Sequence, residues 1–302
     1  MGRAAGAAVG EPGQHGAVGP DRRYRPDVDG LRALAVAPIL LGHAGVPGFG
    51  GGFLGVDLFF VISGYLITSI LARDLGEGRF SLIGFYRRRA VRILPALLTM
   101  LAAVLLAGHL LMFPAESKEL GKSAGAAAGF IANLYFYSSI GYFSPAAELR
   151  PLLHTWSLGA EEQFYLLYPL LLAGAYRVFG RRLVPAVMVL TLASLAFSAA
   201  AAWRWPEDAF YLLPSRGWEL GLGGLAALGV LPALGRAVQN GAALAGAALV
   251  AMGLVFASWG LAVPVPAALL PCAGCMLLLT YGEGAATSRL FAAHPARALG
   301  LI

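Results

Sequence analysis

Charge is what this sequence has least of. Only 13% of its 302 residues are Asp, Glu, Lys or Arg, about half the roughly 25% of an ordinary soluble domain, while 58% are hydrophobic. Mean hydropathy is +0.71, and the apolar residues recur along the whole length, so a single N-terminal leader does not account for them. A water-soluble domain is excluded. Lysine is nearly absent: Lys118 and Lys122 stand against twenty arginines in the basic total of 22. The net charge of +6 falls on arginines clustered between apolar runs, without the continuous basic face and interleaved aromatics that nucleic-acid binding needs. Cysteine is as scarce. Cys272 and Cys275 lie alone in an apolar run, with no second pair or nearby His to complete a zinc site, and read as small buried side chains of a membrane helix.

What is present is a series of apolar runs, near 30–46, 53–72, 93–113, 122–140, 158–176, 184–203, 217–231, 241–260 and 262–281. Most approach the roughly 20 residues that span a hydrocarbon core. The expected fold is therefore all-α, a polytopic transmembrane helix bundle of about nine apolar elements. Residues 1–24 carry Gly, Ala, Pro and polar residues without periodicity and are expected to form a disordered tail before a membrane domain over 25–302. Arg73, Arg79, Arg87, Arg88, Arg89 and Arg92 crowd the connection after the second run, which places that turn and the N-terminus in the cytoplasm. Strict alternation would then put Arg177, Arg181 and Arg182 outside. All the arginine-rich turns fall inside if 122–140, weakly apolar and carrying Lys122, Ser123 and Asn133, is a half-helix that does not cross. The last residues, His294 to Ile302, begin an apolar segment that stops short of a span, so the sequence reads as a fragment.

Ionisable side chains in apolar spans are expensive, and each is a functional candidate. Arg32 and His43 are eleven residues apart, about 20° from the same helical direction and about 16 Å apart along the axis. Arg32 is expected near the cytoplasmic end and His43 near the outer end. An interfacial arginine and a helix-capping histidine are the plainer alternative. Asp57, at the start of the second run, is placed either to orient His43 or to meet the helix dipole. Arg89 and Arg92, three apart, form a pair suited to phosphate, or anchor the helix on the inner side. Glu161 and Glu162 follow His154 and Trp156. Ser157, Glu161, Tyr165 and Tyr168 share one face, and Glu162 points about 100° away. Arg216 and Glu219 form an i, i+3 pair that is either structural or lines an acceptor cleft.

These stretches resemble one family. Asp-Gly-Leu-Arg32 to His43, Gly-Val-Asp57-Leu-Phe-Phe-Val-Ile-Ser-Gly-Tyr, Phe-Tyr-Arg-Arg-Arg89-Ala-Val-Arg92-Ile-Leu-Pro, His154-Thr-Trp-Ser-Leu-Gly-Ala-Glu-Glu-Gln-Phe-Tyr and Ser-Arg216-Gly-Trp-Glu-Leu occur in that order. Over residues 25–302 the sequence is similar to the membrane acyltransferase-3 family, in particular to members that modify cell-surface polysaccharide. The resemblance implies transfer of an acyl group, commonly acetyl, from cytoplasmic acyl-CoA to a sugar hydroxyl at the outer face of the cell membrane. It also implies roles for Arg32, His43, Arg89 and Arg92, and a tenth helix beyond residue 302, with an outer hydrolase-like domain in many members. On this reading His43 is the general base, with Asp57, Glu161 and Glu162 as catalytic partners. Arg32, Arg89 and Arg92 hold the CoA phosphates, while His154, Trp156, Arg216 and Glu219 bind the acceptor. No metal or permanently bound cofactor is expected. Acyl-CoA is a co-substrate, and the partners are the bilayer and a carbohydrate. A transporter or flippase is the rival class, set back by the lack of a second R-x10-H element; an inactive fragment is the third reading.

Overall fold

The computed structural model describes residues 25–139, 150–205, 210–259 and 264–300; the expected tail 1–24 lies outside them. Among the described residues there is no strand. The helices are α1 (Pro26–His43), α2 (Gly55–Gly76), α3 (Leu82–Leu111), α4 (Pro114–Ala128), α5 (Ala132–Ser139) and α6 (Thr155–Phe179). They continue as α7 (Val184–Arg204), α8 (Leu213–Ala227), α9 (Arg236–Ser258), α10 (Pro264–Tyr281), α11 (Ala286–Phe291) and α12 (His294–Gly300). A short 3-10 turn, Gly50–Leu54, leads into α2. Four helices are long and apolar enough to cross a membrane: α2 with its leading turn, α3, α7 and α9. The chain is a multi-pass helical membrane protein.

Two departures from the expected segments matter for the site. First, α3 starts eleven residues before its apolar run, because Ser81 caps it by accepting from the Gly84 N–H at 3.1 Å. The arginines from Arg87 to Arg92 are therefore helical and hold fixed faces. Second, the run at 122–140 is two helices, not one. The chain breaks at Gly129–Ile131, where Phe130 adopts φ +56°, a conformation unfavourable for a bulky residue. Gln163 of α6 compensates, donating to the Phe130 carbonyl at 3.1 Å and to Asn133 Oδ1 at 2.8 Å. Asn133, fully buried, donates in return to Gln163 Oε1 and to the Tyr211 carbonyl, each at 3.2 Å. Irregular backbone is tolerated inside a membrane protein only where protein groups satisfy it in this way.

The arginine-rich turns share one end of the bundle. Arg181 donates to the Gly76 carbonyl, joining the ends of α6 and α2, and Arg236 donates to the Gly284 carbonyl beside the end of α10. α8 runs parallel to α2, so its exit toward Arg236 lies at that same end. Helices α3 and α6 are antiparallel, since Tyr86 donates to the Leu166 carbonyl and Arg89 reaches Glu162. Both the end of α3 and the start of α6 lie at the opposite end, so the stretch between them makes no net crossing.

Shape and charge together bring α2 against α8. A Cβ on Gly64 would lie 1.9 Å from the Leu220 carbonyl oxygen, and one on Gly223 would lie 1.9 Å from that of Val61. Small residues at such contacts let membrane helices approach closely. Beside them Arg216 donates through Nη1 to Asp57 Oδ1 at 2.7 Å and to Glu219 Oε1 at 2.8 Å, and through Nε to the Phe210 carbonyl at 3.1 Å. Its guanidinium lies 5.5 Å from the ring centroid of Trp156 on α6. All three ionic groups are buried. Removing the cation alone leaves two buried carboxylates uncompensated, a loss of about 3–5 kcal/mol. Arg216→Met is accordingly expected to lower the thermal unfolding midpoint of the purified protein sharply, and the triple variant Asp57→Leu, Arg216→Met, Glu219→Leu to recover most of it.

Candidate functional site

α2 turns its other face to a cavity of about 1130 Å³ between α2, α3 and α6, with Arg32 contributed by α1. The lining positions on α2, Ile62, Ser63, Leu66, Ile67, Ile70, Arg73 and Asp74, with Glu77 just after it, follow the three-to-four-residue spacing of one helix face. They extend over fifteen residues, about 22 Å. The cavity is apolar in the middle and charged at its ends. Six arginines line it (Arg32, Arg73, Arg79, Arg88, Arg89 and Arg92) against four carboxylates (Asp74, Glu77, Glu161 and Glu162), a surplus of two positive charges. It reaches solvent at the arginine-rich end, where the side chains of Arg79 and Arg88 are 68% and 62% exposed.

The pairings locate that surplus. Arg79 pairs with Glu77, and Asp74 lies 3.6 Å from Arg73 and 3.8 Å from Arg88. Deeper, Arg89 donates to Glu162 at 2.9 Å and stacks 3.6 Å above the Tyr165 ring. Glu161 accepts from both the Ser63 and Tyr165 hydroxyls. Arg32 and Arg92 have no ion-pair or hydrogen-bond partner among the described residues. They are the two cations left for an anion.

The structure thus brings five expected site residues to one cavity: Arg32, Arg89, Arg92, Glu161 and Glu162. Glu162 lines it despite its offset from Glu161, because the space widens between α2 and α3 and Arg89 reaches across. Arg32 is deeper than expected. The residue before α1, Arg25, donates to the Tyr65 hydroxyl at 3.0 Å, and Tyr65 stands eleven residues before the end of α2, about 16 Å in. α1 therefore begins partway into the bundle, and Arg32 meets the inner part of the cavity rather than its rim.

The outer candidates divide. His43 ends α1, exposed, and its Nδ1 lies 2.8 Å from the Ile39 carbonyl oxygen. A carbonyl only accepts, so Nδ1 carries the hydrogen and Nε2 of the neutral ring keeps its lone pair. His154 stands just before α6. Partial burial, more than the nearby charge of His43, pushes its imidazole below the ordinary range. Asp57 is bound to Arg216 and not to His43, since a buried carboxylate takes the cation within reach. Trp156, Arg216 and Glu219, expected at an acceptor cleft, are interior: Trp156 is 5% exposed and packs 4.5 Å from Phe210, and Glu219 is fully buried. Of the alternatives open for Arg216 and Glu219, the structural one describes this geometry.

Several contributors carry no sequence signal that marks them. Ser63 sits inside an unbroken apolar run, and Arg73, Arg79 and Arg88 look like interfacial anchors. Tyr165 was on the face shared with Glu161, although its stacking on Arg89 depends on how α3 crosses. Among the described residues no three His, Cys, Asp or Glu side chains converge as a metal site. Cys272 and Cys275 are buried free thiols in α10.

Comparisons with known proteins identify the family. Residues 25–299 match a family model described as an acyltransferase domain. The chain is 41% identical over 176 residues to the O-acetyltransferase OatA of Staphylococcus aureus, covering 57% of this chain and 29% of that protein. It is 32% identical over 258 residues to the putative membrane-bound transacylase BcsY of Komagataeibacter xylinus, covering 85% of this chain and 65% of that one. The chain thus spans less than a third of the length of the staphylococcal relative and just under two thirds of the other. No solved structure matches it. With a family model of an acyltransferase domain covering nearly all of the described helices, the chain belongs to the acyltransferase-3 family.

Proposed function

We propose that the chain moves an acyl group, acetyl in the simplest case, from acyl-CoA held in the cavity to a carbohydrate hydroxyl presented at the opposite face of the cell membrane. The observation that carries this reading is the pair of uncompensated guanidiniums, Arg32 and Arg92, in a long cavity that is otherwise charge-balanced. A ligand with several phosphates and a slender apolar arm has the chemistry for such a space. Arginine forks bind phosphate oxygens in pairs, and Ile62, Leu66, Ile67 and Ile70 line the stretch an arm would follow. Arg89 enters as a fixed part of the wall. Its pairing with Glu162 and its stack on Tyr165 orient whichever N–H groups remain. By the positive-inside rule the arginine-rich end faces the cytoplasm, which places the donor inside, the N-terminus inside and His43 outside.

In this mechanism His43 Nε2 accepts the proton of the acceptor hydroxyl as its oxygen attacks the thioester carbonyl carbon. The tetrahedral intermediate collapses by breaking the carbon–sulfur bond, and the imidazolium returns its proton to the departing CoA thiolate. His154, at the same end, contacts the acceptor. Asp57 acts at one remove, by holding Arg216 and the α2–α8 packing. The carbohydrate acceptor rests on the family resemblance. The names of the two relatives say O-acetyltransferase and transacylase; both name acyl transfer, and the first names an oxygen acceptor.

The reading is tested by label transfer from radiolabelled acetyl-CoA to cell-envelope carbohydrate in membranes containing the chain. His43→Ala at equal membrane level is expected to reduce incorporation by roughly 10²–10⁴-fold, the usual contribution of a general base; incorporation unchanged by the substitution refutes the assignment. A second prediction separates binding from chemistry. Arg32→Gln or Arg92→Gln is expected to raise KM for acyl-CoA about tenfold or more, with kcat little changed, because a charge-assisted hydrogen bond contributes roughly 1.5–3 kcal/mol.

A further inference from the structure

We propose a second anion site, separate from the donor cavity: a pocket at the arginine-rich end of α9 that takes the phosphate of an anionic lipid headgroup. The pocket, about 370 Å³, is lined by Arg236, Asn240, Gly284, Ala285, Ala286 and Arg289. None of these is acidic. The start of α9 is bonded to the end of α10 and the segment after it at four points. Arg236 donates to the Gly284 carbonyl at 2.9 Å, Gln239 donates to the carbonyls of Tyr281 at 3.1 Å and Glu283 at 2.8 Å, and Asn240 Oδ1 accepts from the Ala286 N–H at 3.1 Å. Gly284 has φ +71°, and a Cβ there would lie 2.9 Å from Arg236 Nη1, so only glycine lets the guanidinium seat against this turn.

These bonds consume the acceptors and leave donors. The rest of the Arg236 fork, the Asn240 amide N–H₂ and the whole Arg289 guanidinium face the pocket region with no carboxylate among the lining residues. Arg289 has no ion-pair or hydrogen-bond partner among the described residues. Glu283, the nearest acid in sequence, lies 3.4 Å from Arg25. The contrast with Arg73, Arg79 and Arg88 is direct, since Asp74 and Glu77 pair with those. Converging unpaired donors without an acid select an anion, and a phosphate fits their number and fork geometry. Two further observations favour a lipid as its source over a free ion. Arg236 opens a helix of membrane-crossing length, which puts the pocket at headgroup depth, and apolar side chains neighbouring its lining residues in sequence are exposed: Leu290, next to Arg289, is 71% exposed and Val238, between Arg236 and Asn240 on α9, is 61% exposed. A lipid can place its phosphate on the arginines and its chains along these residues.

The test uses the full chain purified in a neutral detergent, with phosphatidylglycerol as probe and retention read by native mass spectrometry. Arg289→Gln is expected to weaken lipid retention about fivefold, and Arg236→Gln with Arg289→Gln about 25-fold, one step per basic residue at an anionic headgroup. Arg204→Gln, at the opposite end of α7, is expected to change nothing. Arg289 is exposed and unpaired, so its substitution leaves the fold intact, and unfolding midpoints alongside confirm this for the double variant. Retention by the double variant equal to that of the unaltered chain overturns the site. Displacement of the lipid by inorganic phosphate at equimolar concentration overturns the lipid assignment and identifies a soluble anion instead.

Discussion

A single guanidinium, that of Arg216, sets the register of the interior. Helices in a bilayer gain little from burying apolar surface against one another, because lipid is as apolar as they are; steric fit and polar pairing decide which faces meet. Arg216 meets Asp57 of α2, Glu219 of its own helix and the ring of Trp156 on α6. A slip of α8 by one turn would move the cation about 5.4 Å and leave the Asp57 carboxylate without it. The glycine contacts at Gly64 and Gly223 depend on the same register, since they bring backbone to within contact of backbone. Charge specifies the alignment, and the missing side chains permit the approach.

With one face of α2 fixed in this way, its other face becomes a rigid wall. Ser63 and Asp74 project from that wall at opposite ends of the cavity and meet partners from different helices, Glu161 of α6 and Arg88 of α3. Tyr165 joins the Ser63–Glu161 pair to the Arg89–Glu162 pair, bonded to Glu161 through its hydroxyl and covered by Arg89 on its ring. A substitution at Tyr165 would therefore disturb an acid and a base together, although the residue carries no charge. The cavity owes its shape to helix packing and its charge pattern to this short chain of contacts.

The helices were legible in the sequence because apolar runs near twenty residues long have few other uses. Although one half-helix was expected and two helices are found, the weakness of the element at 122–140 was legible for the same reason, in reverse: Asn133 and the serines lower its hydropathy. Its compensating partner was not. Gln163 looks like part of the Glu161-Glu162 motif, and only the crossing of α5 over α6 shows that it satisfies the Phe130 carbonyl. The arginines of the cavity could be named from their cost in a span, yet sequence spacing describes one helix at a time. It could not say that Arg32 would stand inside the bundle, because that depends on where α1 begins relative to Tyr65. Asp57 illustrates the same limit. A short loop brings it near His43 in sequence, but the competing cation comes from a residue 159 positions later.

Twenty arginines and two lysines invite one explanation, the orientation of the chain in a membrane, and the structure separates three. Arg216 is buried and bonded to two carboxylates and a backbone carbonyl, so it serves packing. Arg73, Arg79 and Arg88 have the carboxylates of Asp74 and Glu77 beside them near the mouth of the cavity; they keep that mouth polar, with most of their charge offset. Arg32, Arg92 and Arg289 lack such neighbours. An orienting charge needs only to be near the right end of a helix and gains nothing from lining a cavity without a counterion. Retaining unpaired arginines at cavities, in a chain that supplies acids to neighbouring arginines a turn away, is the pattern expected of binding sites rather than of anchors. The guanidinium suits that use better than lysine would, because it stays charged when partly buried and offers its N–H groups in a fixed plane.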